Sequence, residues 1–273
     1  MREFARLFLE LDASTSTRAK VAALTRYLTT ADDLDAAWAV YFLAGGKPRQ
    51  AVPSKVLREF AVTASGLPEW LFEESYHAVG DLAETVSLLL PPAVRRSEKS
   101  LAEWVVERVL PLRGQPADAI KSALVSYFDE LDTGERFLLV KLIGGAFRVG
   151  VSRLLVTRAL AEHAGVDARQ MAQRMIGYTD DVQRPTAERY RALIGASTTA
   201  SAADPYPFFL AAGLTLPLDR FEDELGSPAG WLVEWKYDGI RAQLVRRSGE
   251  TWLWSRGEEL ISERFPDVLA GLQ

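Results

Sequence analysis

The stretch Glu234-Trp235-Lys236-Tyr237-Asp238-Gly239-Ile240-Arg241 places one lysine in an apolar run that is followed at once by a turn. Residues 231–235 have the pattern of a strand entering a sheet. Asp238-Gly239 is a strong signal for a two-residue hairpin turn before a second strand over 240–245. Because a lysine is costly to bury, its presence in such a strand needs a reason. We therefore predict that Lys236 lies at the end of a strand, on rigid scaffolding.

A second motif, Trp254-Ser255-Arg256-Gly257-Glu258, ends the next strand-like run. The pattern Lys-x-Asp-Gly-x-Arg that begins at Lys236 resembles the nucleotidyl-transfer motif of ATP-dependent DNA ligases, RNA ligases and capping enzymes. The second motif resembles the next ligase motif, a strand that ends in Ser-Arg-x-Gly/Glu. Two motifs in this order, about twenty residues apart, are far more specific than either one alone.

The resemblance implies a role for each residue in the two motifs. Lys236 would be catalytic and would attack the α-phosphate of ATP. Glu234 would contact the adenine, while Arg241 and Arg256 would approach the nucleotide phosphates or the 5′-phosphate of a nick. A free lysine titrates near ~10.4, so desolvation or nearby positive charge must lower its pKa before it can attack. Arginines and Mg²⁺ suit phosphoryl transfer, which depends mostly on positioning and charge stabilisation. The sequence identifies no metal ligands.

Other interpretations of the motifs stay open. Lys-Tyr-Asp-Gly alone is more often a solvated hairpin turn, Arg256 alone a surface arginine, and Glu234 alone a strand-face residue. RNA ligases and capping enzymes share Lys236 and Asp238-Gly239, and a non-enzymatic module that binds nicked DNA is a third class. The long segment ahead of the motif argues against these classes. NAD use is disfavoured, because NAD-dependent ligases carry a cysteine-ligated zinc and this chain has no cysteine.

Composition excludes several classes of protein. With 273 residues, 48% of them hydrophobic, the chain can fill a core. It has no long apolar run or secretory leader and no cysteine, and its two histidines are too few for a histidine-rich metal centre. We expect a monomeric cytoplasmic enzyme. The net charge of −5 means that any DNA binding must use a local basic patch. Arginines cluster at 148, 153 and 158 and again at 184, 189 and 191, although ordinary solvated helix faces explain any one of them about equally well.

The first 195 residues have a helical pattern, with Ser14–Thr17 offering N-caps for the first of the predicted helices. We predict helices at 20–28, 34–43, 54–64, 67–79, 100–109, 116–127, 133–142, 152–163, 168–175 and 185–193.

Phrases at 43–46, 77–85 and 142–152 resemble the helical DNA-binding domain of ATP-dependent ligases, which grips the minor groove on both sides of a nick. In the last phrase, a glycine-rich turn that includes Gly150 leads into a helix capped by Ser152, and Arg148 adds charge. Free backbone N–H groups at such a turn suit a phosphate. We therefore predict DNA binding by Arg148, Gly150 and Ser152. The commoner explanation is that these glycines merely break helices.

A small-residue stretch at 196–206 predicts a linker. The predicted organisation is thus a helical ligase DNA-binding domain at 1–195, the linker, and at 207–273 the start of an α+β nucleotidyltransferase (adenylation) domain. Strands are expected near 232–236, 240–246 and 251–255, followed by a helix that begins at Ser262 or Phe265 and runs to 272. The later motifs of the family do not follow, so we expect this chain alone to seal no nicks. Replication, recombination and repair all present the same nick.

Overall fold

The computed structural model describes residues 1–46, 50–145, 147, 149–179, 184–195, 203, 205–206, 208, 213–256 and 260–271. The chain divides into two compact units, Met1–Thr199 and Ala200–Gln273. In the described part of the first unit the regular structure is helical throughout. This confirms the expected all-α character of the N-terminal part.

The helices of the first unit pack around one apolar core. They are α1 (Arg2–Ala13), α2 (Thr17–Thr30), α3 (Asp33–Leu43), α4 (Ser54–Ser65), α5 (Glu69–Val79), α6 (Leu82–Leu89), α7 (Leu101–Glu103, continued by a π-helix at Trp104–Val109), α8 (Ala117–Phe128), α9 (Thr133–Gly144), α10 (Arg153–Ala164), α11 (Ala168–Arg174) and α12 (Ala187–Ile194). All the helices predicted within residues 1–195 are present, with ends that differ by at most three residues. Helices α1 and α6 lie where no helix was predicted. None of the described helices is both long and apolar enough to cross a membrane.

Side-chain caps fix where several helices begin. The Ser16 hydroxyl accepts a hydrogen bond from the Ala19 amide at 3.3 Å, and the Ser152 hydroxyl accepts one from the Leu155 amide at 3.3 Å. Such bonds satisfy amides that have no partner within the helix. The predicted N-cap at Ser152 is therefore confirmed, and the first helical residue of α10 is Arg153.

Helix α7 is capped from two directions. Within its own sequence, the Ser100 hydroxyl accepts from the Glu103 amide at 3.2 Å and the Glu103 carboxylate accepts from the Ser100 amide at 2.7 Å, which is a capping box. From α3, the Asp35 carboxylate accepts from the amides of Leu101 at 3.1 Å and Ala102 at 2.9 Å. A carboxylate 66 residues earlier in the chain therefore completes the start of this helix.

An aromatic cluster extends the core to the segment after α9. The ring of Phe147 lies 6.0 Å from that of Phe4, 5.1 Å from that of Phe8 and 5.5 Å from that of Phe42. Aromatic pairs at such separations contribute beyond the area that they bury. The segment that carries Gly150 is thus anchored to α1 and α3 through Phe147.

Glu135 is a buried carboxylate at the start of α9, with only 1% of its surface exposed. Its Oε2 accepts from the Asp132 amide at 3.1 Å, and its Oε1 lies 4.0 Å from Nε of Arg2. Burial, reinforced by the negative charge of Asp132, raises the pKa of Glu135 against the opposing effects of the Asp132 amide, Arg2 and the N-terminal amine. Ionisation of Glu135 in the folded protein therefore lowers the free energy of unfolding.

Glu135→Gln is expected to gain stability relative to the wild type as the pH rises. Because the folded pKa of Glu135 is raised, its favourable contribution is full below the unfolded pKa of ~4.3 and is lost as the pH rises through the folded pKa. Glutamine keeps the acceptor for the Asp132 amide but cannot ionise. Urea unfolding from pH 4 to pH 8 measures the difference, with the exposed Glu162→Gln as control. A difference that does not change with pH would show that Glu135 titrates alike in both states.

The second unit contains an antiparallel hairpin of β1 (Ala242–Arg247) and β2 (Glu250–Ser255), in which Val245 pairs with Trp252. Its two-residue turn is Ser248-Gly249, with φ of 52° and 84°. Positive φ at both central residues matches the twist of a hairpin. Short helices α13 (Phe221–Leu225) and α14 (Pro266–Ala270) flank the hairpin, with a 3₁₀ turn at Ser262–Arg264. The expected strands near 240–246 and 251–255 are present with small shifts.

Two side chains of the hairpin hold the preceding segment. The Gln243 amide donates to the Tyr206 carbonyl at 3.1 Å and accepts from the Tyr206 amide at 2.6 Å. The Trp254 indole donates to the Ala203 carbonyl at 2.9 Å. Residues at the C-terminal end of the predicted linker therefore lie along the hairpin within the second unit.

Candidate nucleotide and nucleic-acid sites

The segment that carries Lys236 is exposed along its whole length. Residues 231–241 form no regular strand, Trp235 is 87% exposed and Tyr237 is 83% exposed. The predicted strand near 232–236 and the hairpin turn at Asp238-Gly239 are therefore wrong, and so is the predicted position of Lys236 at the end of a strand. A strand requires a hydrogen-bonded neighbour, and among the described residues the ladder begins only at Ala242.

Arg241 and Arg256 are brought together by the hairpin. The Arg256 amide donates to the Arg241 carbonyl at 2.8 Å, which extends the pairing one step beyond Ala242 and Ser255. Both side chains are exposed at the same end of the hairpin. Two arginines on neighbouring strand ends can bind one phosphate together, because each guanidinium presents several donors in a fixed geometry. Gly257 and Glu258 lie outside the described residues.

The four predicted nucleotide-site residues do not enclose a nucleotide. Glu234, Lys236, Arg241 and Arg256 are all exposed. No group of three or more His, Cys, Asp or Glu side chains in the described parts of the chain is arranged to hold a metal ion. The backbone pairing thus places Arg241 beside Arg256, and the described residues form no closed site for ATP and Mg²⁺.

The turn after α9 has a defined backbone geometry at Gly150, where φ is +60°. Its carbonyl accepts a hydrogen bond from Nζ of Lys20 at 2.7 Å. A Cβ atom at this position would lie 3.4 Å from that nitrogen. Two residues later Ser152 caps α10. The exposed backbone at Gly150 therefore lies next to the first turn of that helix. Arg148 lies outside the described residues.

Lys20 is a residue that the sequence analysis missed. It lies on α2 and is only 9% exposed, and its ammonium group joins α2 to the turn at Gly150 across 130 residues of sequence. The spacing of Lys20 from the apolar residues of α2 could have shown that it faces the core. Lys20 stands four residues before Leu24 and eight before Leu28, on the row of α2 that faces the core.

The loop after the predicted phrase at 43–46 is bound to the end of α9 through Ala51 and Val52. The amides of Ala51 and Val52 donate to the Ile143 carbonyl at 2.9 and 3.1 Å, which ties the loop before α4 to the last turn of α9. A Cβ atom on Gly46 would lie 2.6 Å from the Tyr41 carbonyl oxygen. Only glycine fits there without a shift of the backbone.

The structure divides the predicted arginine clusters into two groups. Three guanidinium groups bind within the fold: Arg153 donates to the Met175 carbonyl, Arg189 donates to the Gly177 carbonyl at 3.4 Å, and Arg191 pairs with the Asp33 carboxylate at 2.5 Å. Arg158 and Arg184 are exposed. Several of these arginines therefore support the fold, although Arg191, Arg158 and Arg184 are exposed to solvent.

Comparisons with known proteins cover most of the chain. Residues 1–161 match the family model of the DNA ligase N terminus. A DNA ligase of Staphylothermus marinus is 25% identical over 84% of this chain and 43% of its own length. A DNA ligase of Pyrobaculum calidifontis is 27% identical over 97% of this chain and 48% of its own length. A probable DNA ligase of Opitutus terrae is 26% identical over 97% of this chain and 33% of its own length. The chain spans half the length or less of these relatives.

Proposed function

Since this chain belongs to the DNA ligase N-terminus family, we propose that it is the front part of an ATP-dependent DNA ligase that seals nicks in duplex DNA. The observation that carries the proposal is the match over residues 1–161, followed by two ligase-like motifs in the expected order. The related DNA ligase of Pyrobaculum calidifontis aligns with 97% of this chain, which spans both regions.

The proposed chemistry places a lysyl-AMP intermediate on Lys236. The lysine amine loses a proton and attacks the α-phosphate of ATP, and pyrophosphate leaves. Mg²⁺, when bound, would neutralise charge on the phosphates. AMP then passes to the 5′-phosphate of the nick, and the 3′-hydroxyl attacks that phosphate and releases AMP. In this proposal Glu234 contacts the adenine and Arg241 and Arg256 bind phosphate oxygens. The neighbouring positions of the two arginines at the hairpin end support their shared role.

The exposed Lys236 segment favours a second candidate for this chain when it acts alone. A nucleophile in phosphoryl transfer needs firm positioning, and residues 231–241 are exposed and irregular here. We therefore expect the 273-residue polypeptide to bind a nick without sealing it. In that case it is a DNA-binding module whose catalytic lysine works only in the longer protein.

The proposed DNA contact is the turn at Gly150 and Ser152, together with Arg148. Two observations support this contact. The Gly150 carbonyl accepts a hydrogen bond from the Lys20 ammonium group, and α10 begins nearby at Arg153. Backbone N–H groups at a helix start bind phosphates well, and such contacts position a protein on DNA without reading sequence. We expect binding on the minor-groove side of a nicked duplex, with a strong dependence on salt.

Gly150→Ala is expected to weaken binding to a nicked duplex with a 5′-phosphate by about five- to tenfold, because an L-residue with φ near +60° costs ~1–2 kcal/mol and shifts the turn. The matched control is Gly144→Ala. Gly144 lies at the end of α9, and a Cβ atom there would meet nothing within 4 Å. Fluorescence anisotropy at several salt concentrations measures both variants. Equal affinity of Gly150→Ala and the wild type would remove this turn from the DNA contact.

A further inference from the structure

A cleft lies at the opposite end of α9 from the turn at Gly150. It has a volume of about 750 Å³ and is bounded by the end of α6, the loop 91–97 and the start of α9. Helix α9 has 12 residues, so the two ends are roughly 18 Å apart at about 1.5 Å per residue. The cleft is therefore separate from the proposed DNA contact.

The backbone of the 91–97 loop is firmly held. The Arg95 amide donates to the Asp129 carbonyl at 2.9 Å, and the Ser97 amide donates to the Glu130 carbonyl at 3.0 Å. The Ser97 hydroxyl also accepts from the Trp104 indole at 3.2 Å. These bonds fix the loop before any ligand arrives, so little ordering entropy is lost on binding.

A buried arginine adds to this support. Arg136 is 3% exposed, and its guanidinium donates to the Pro91 carbonyl at 2.6 Å and to the Phe128 carbonyl at 2.9 and 2.6 Å. The guanidinium of Arg136 thus binds backbone carbonyls within the fold, and Arg136 also lines the cleft. Asp132, which is the acid among the residues that line the cleft, is occupied in capping α9 through the Glu135 amide at 2.9 Å.

The two arginine side chains that the loop presents have no protein partner among the described residues. Arg95 and Arg96 are exposed, and within the described residues no hydrogen bond or ion pair engages either guanidinium. Beside them stand two apolar side chains, Val94 at 76% and Leu88 at 61% exposed. All four line the same cleft. Two unpaired cations next to exposed apolar surface are typical of a binding site.

We propose that this cleft binds an acidic peptide segment that carries an apolar anchor residue. Carboxylates of the peptide pair with Arg95 and Arg96, and the anchor side chain covers Leu88 and Val94. This is the recognition of acidic motifs by an arginine cluster, with an apolar contact added. DNA is a poorer match, because a phosphate backbone offers nothing to cover Leu88 and Val94.

The test uses the full chain and a fluorescein-labelled twelve-residue probe in which aspartates and glutamates surround one leucine. Arg95→Ala combined with Arg96→Ala is expected to lower the affinity for the probe by about tenfold or more. Leu88→Ser is expected to lower it by about three- to tenfold. The charge-matched control, Lys55→Ala combined with Arg169→Ala, removes two exposed cations elsewhere and should bind the probe like the wild type. Because all the altered side chains are exposed, the melting temperature should stay within about 2 °C.

The outcomes are distinct. Affinity for nicked duplex DNA that is unchanged in the Arg95/Arg96 variant supports a separate peptide site. A loss of DNA affinity as large as the loss of probe affinity would make the cleft a DNA surface and overturn the proposal. The proposal also fails if the probe does not saturate the wild type, or if the amide version of the probe, with Asn and Gln for Asp and Glu, binds equally well.

Discussion

Lys236→Ala is expected to abolish covalent AMP transfer to the protein. The substitution removes the only proposed nucleophile, and loss of a nucleophile in covalent catalysis costs on the order of 10⁴-fold or more in rate. Lys236→Arg should be equally inactive, because a guanidinium stays protonated and cannot attack. The matched control is Lys55→Ala, which alters an exposed lysine on α4.

The measurement is an intact-mass spectrum after incubation with ATP and Mg²⁺, searched for one added AMP. It is made on the 273-residue chain and on a fusion with the second half of the Pyrobaculum calidifontis ligase. We expect the fusion to form the adduct and the 273-residue chain to form it much more slowly, since Lys236 is exposed on an irregular segment. An adduct that survives in Lys236→Ala would disprove the assignment of the nucleophile. Rapid labelling of the 273-residue chain would contradict the binding-module interpretation.

Phe147→Ala is expected to give the largest loss of stability among the variants described, about 2–4 kcal/mol, because it empties the centre of an aromatic cluster. Its ring contacts Phe4, Phe8 and Phe42, which belong to α1 and α3. Phe147 also lies three residues before Gly150 in the turn. We therefore expect a loss of affinity for nicked DNA as well, even at temperatures where the variant is fully folded.

Phe137→Ala is the matched control for the DNA effect. Its ring lies 5.7 Å from that of Phe8, so its removal also opens a space in the core, but it is on α9 and not in the turn. Urea unfolding gives the stability of both variants, and anisotropy with a nicked duplex at low temperature gives their affinity. If both variants lose stability and both keep full DNA affinity, Phe147 is only a core residue.

Local features of the helical part could be predicted from the sequence, because they depend on neighbours in the chain. Apolar residues spaced three and four apart identified the helices, and Ser152 was correctly predicted to cap α10. The π-helix at Trp104–Val109 was not predicted, since it has the same apolar pattern as an α-helix. Long-range pairs such as Lys20 with Gly150 were missed because nothing local marks their partner.

The hairpin region shows why local signals fail. Asp238-Gly239 and Ser248-Gly249 are both suitable turn sequences, and only the second lies between strands that pair with each other. Strand pairing depends on which segments meet in three dimensions, which turn composition does not determine. The resulting pairing brings the backbones of Arg241 and Arg256 together, while the roles proposed for Glu234, Lys236, Arg241 and Arg256 all stay predictions.

The carboxylate of Asp35 at the start of α7 has a consequence for the order of folding. A helix nucleus is unfavourable, because several dihedral angles are fixed for its first hydrogen bond. Asp35 supplies acceptors for the amides of Leu101 and Ala102, but only after the intervening chain has closed into a loop. The first amides of α7 therefore obtain these acceptors only once α3 has packed against it. The two helices should form and melt as a single cooperative unit, although they are far apart in sequence.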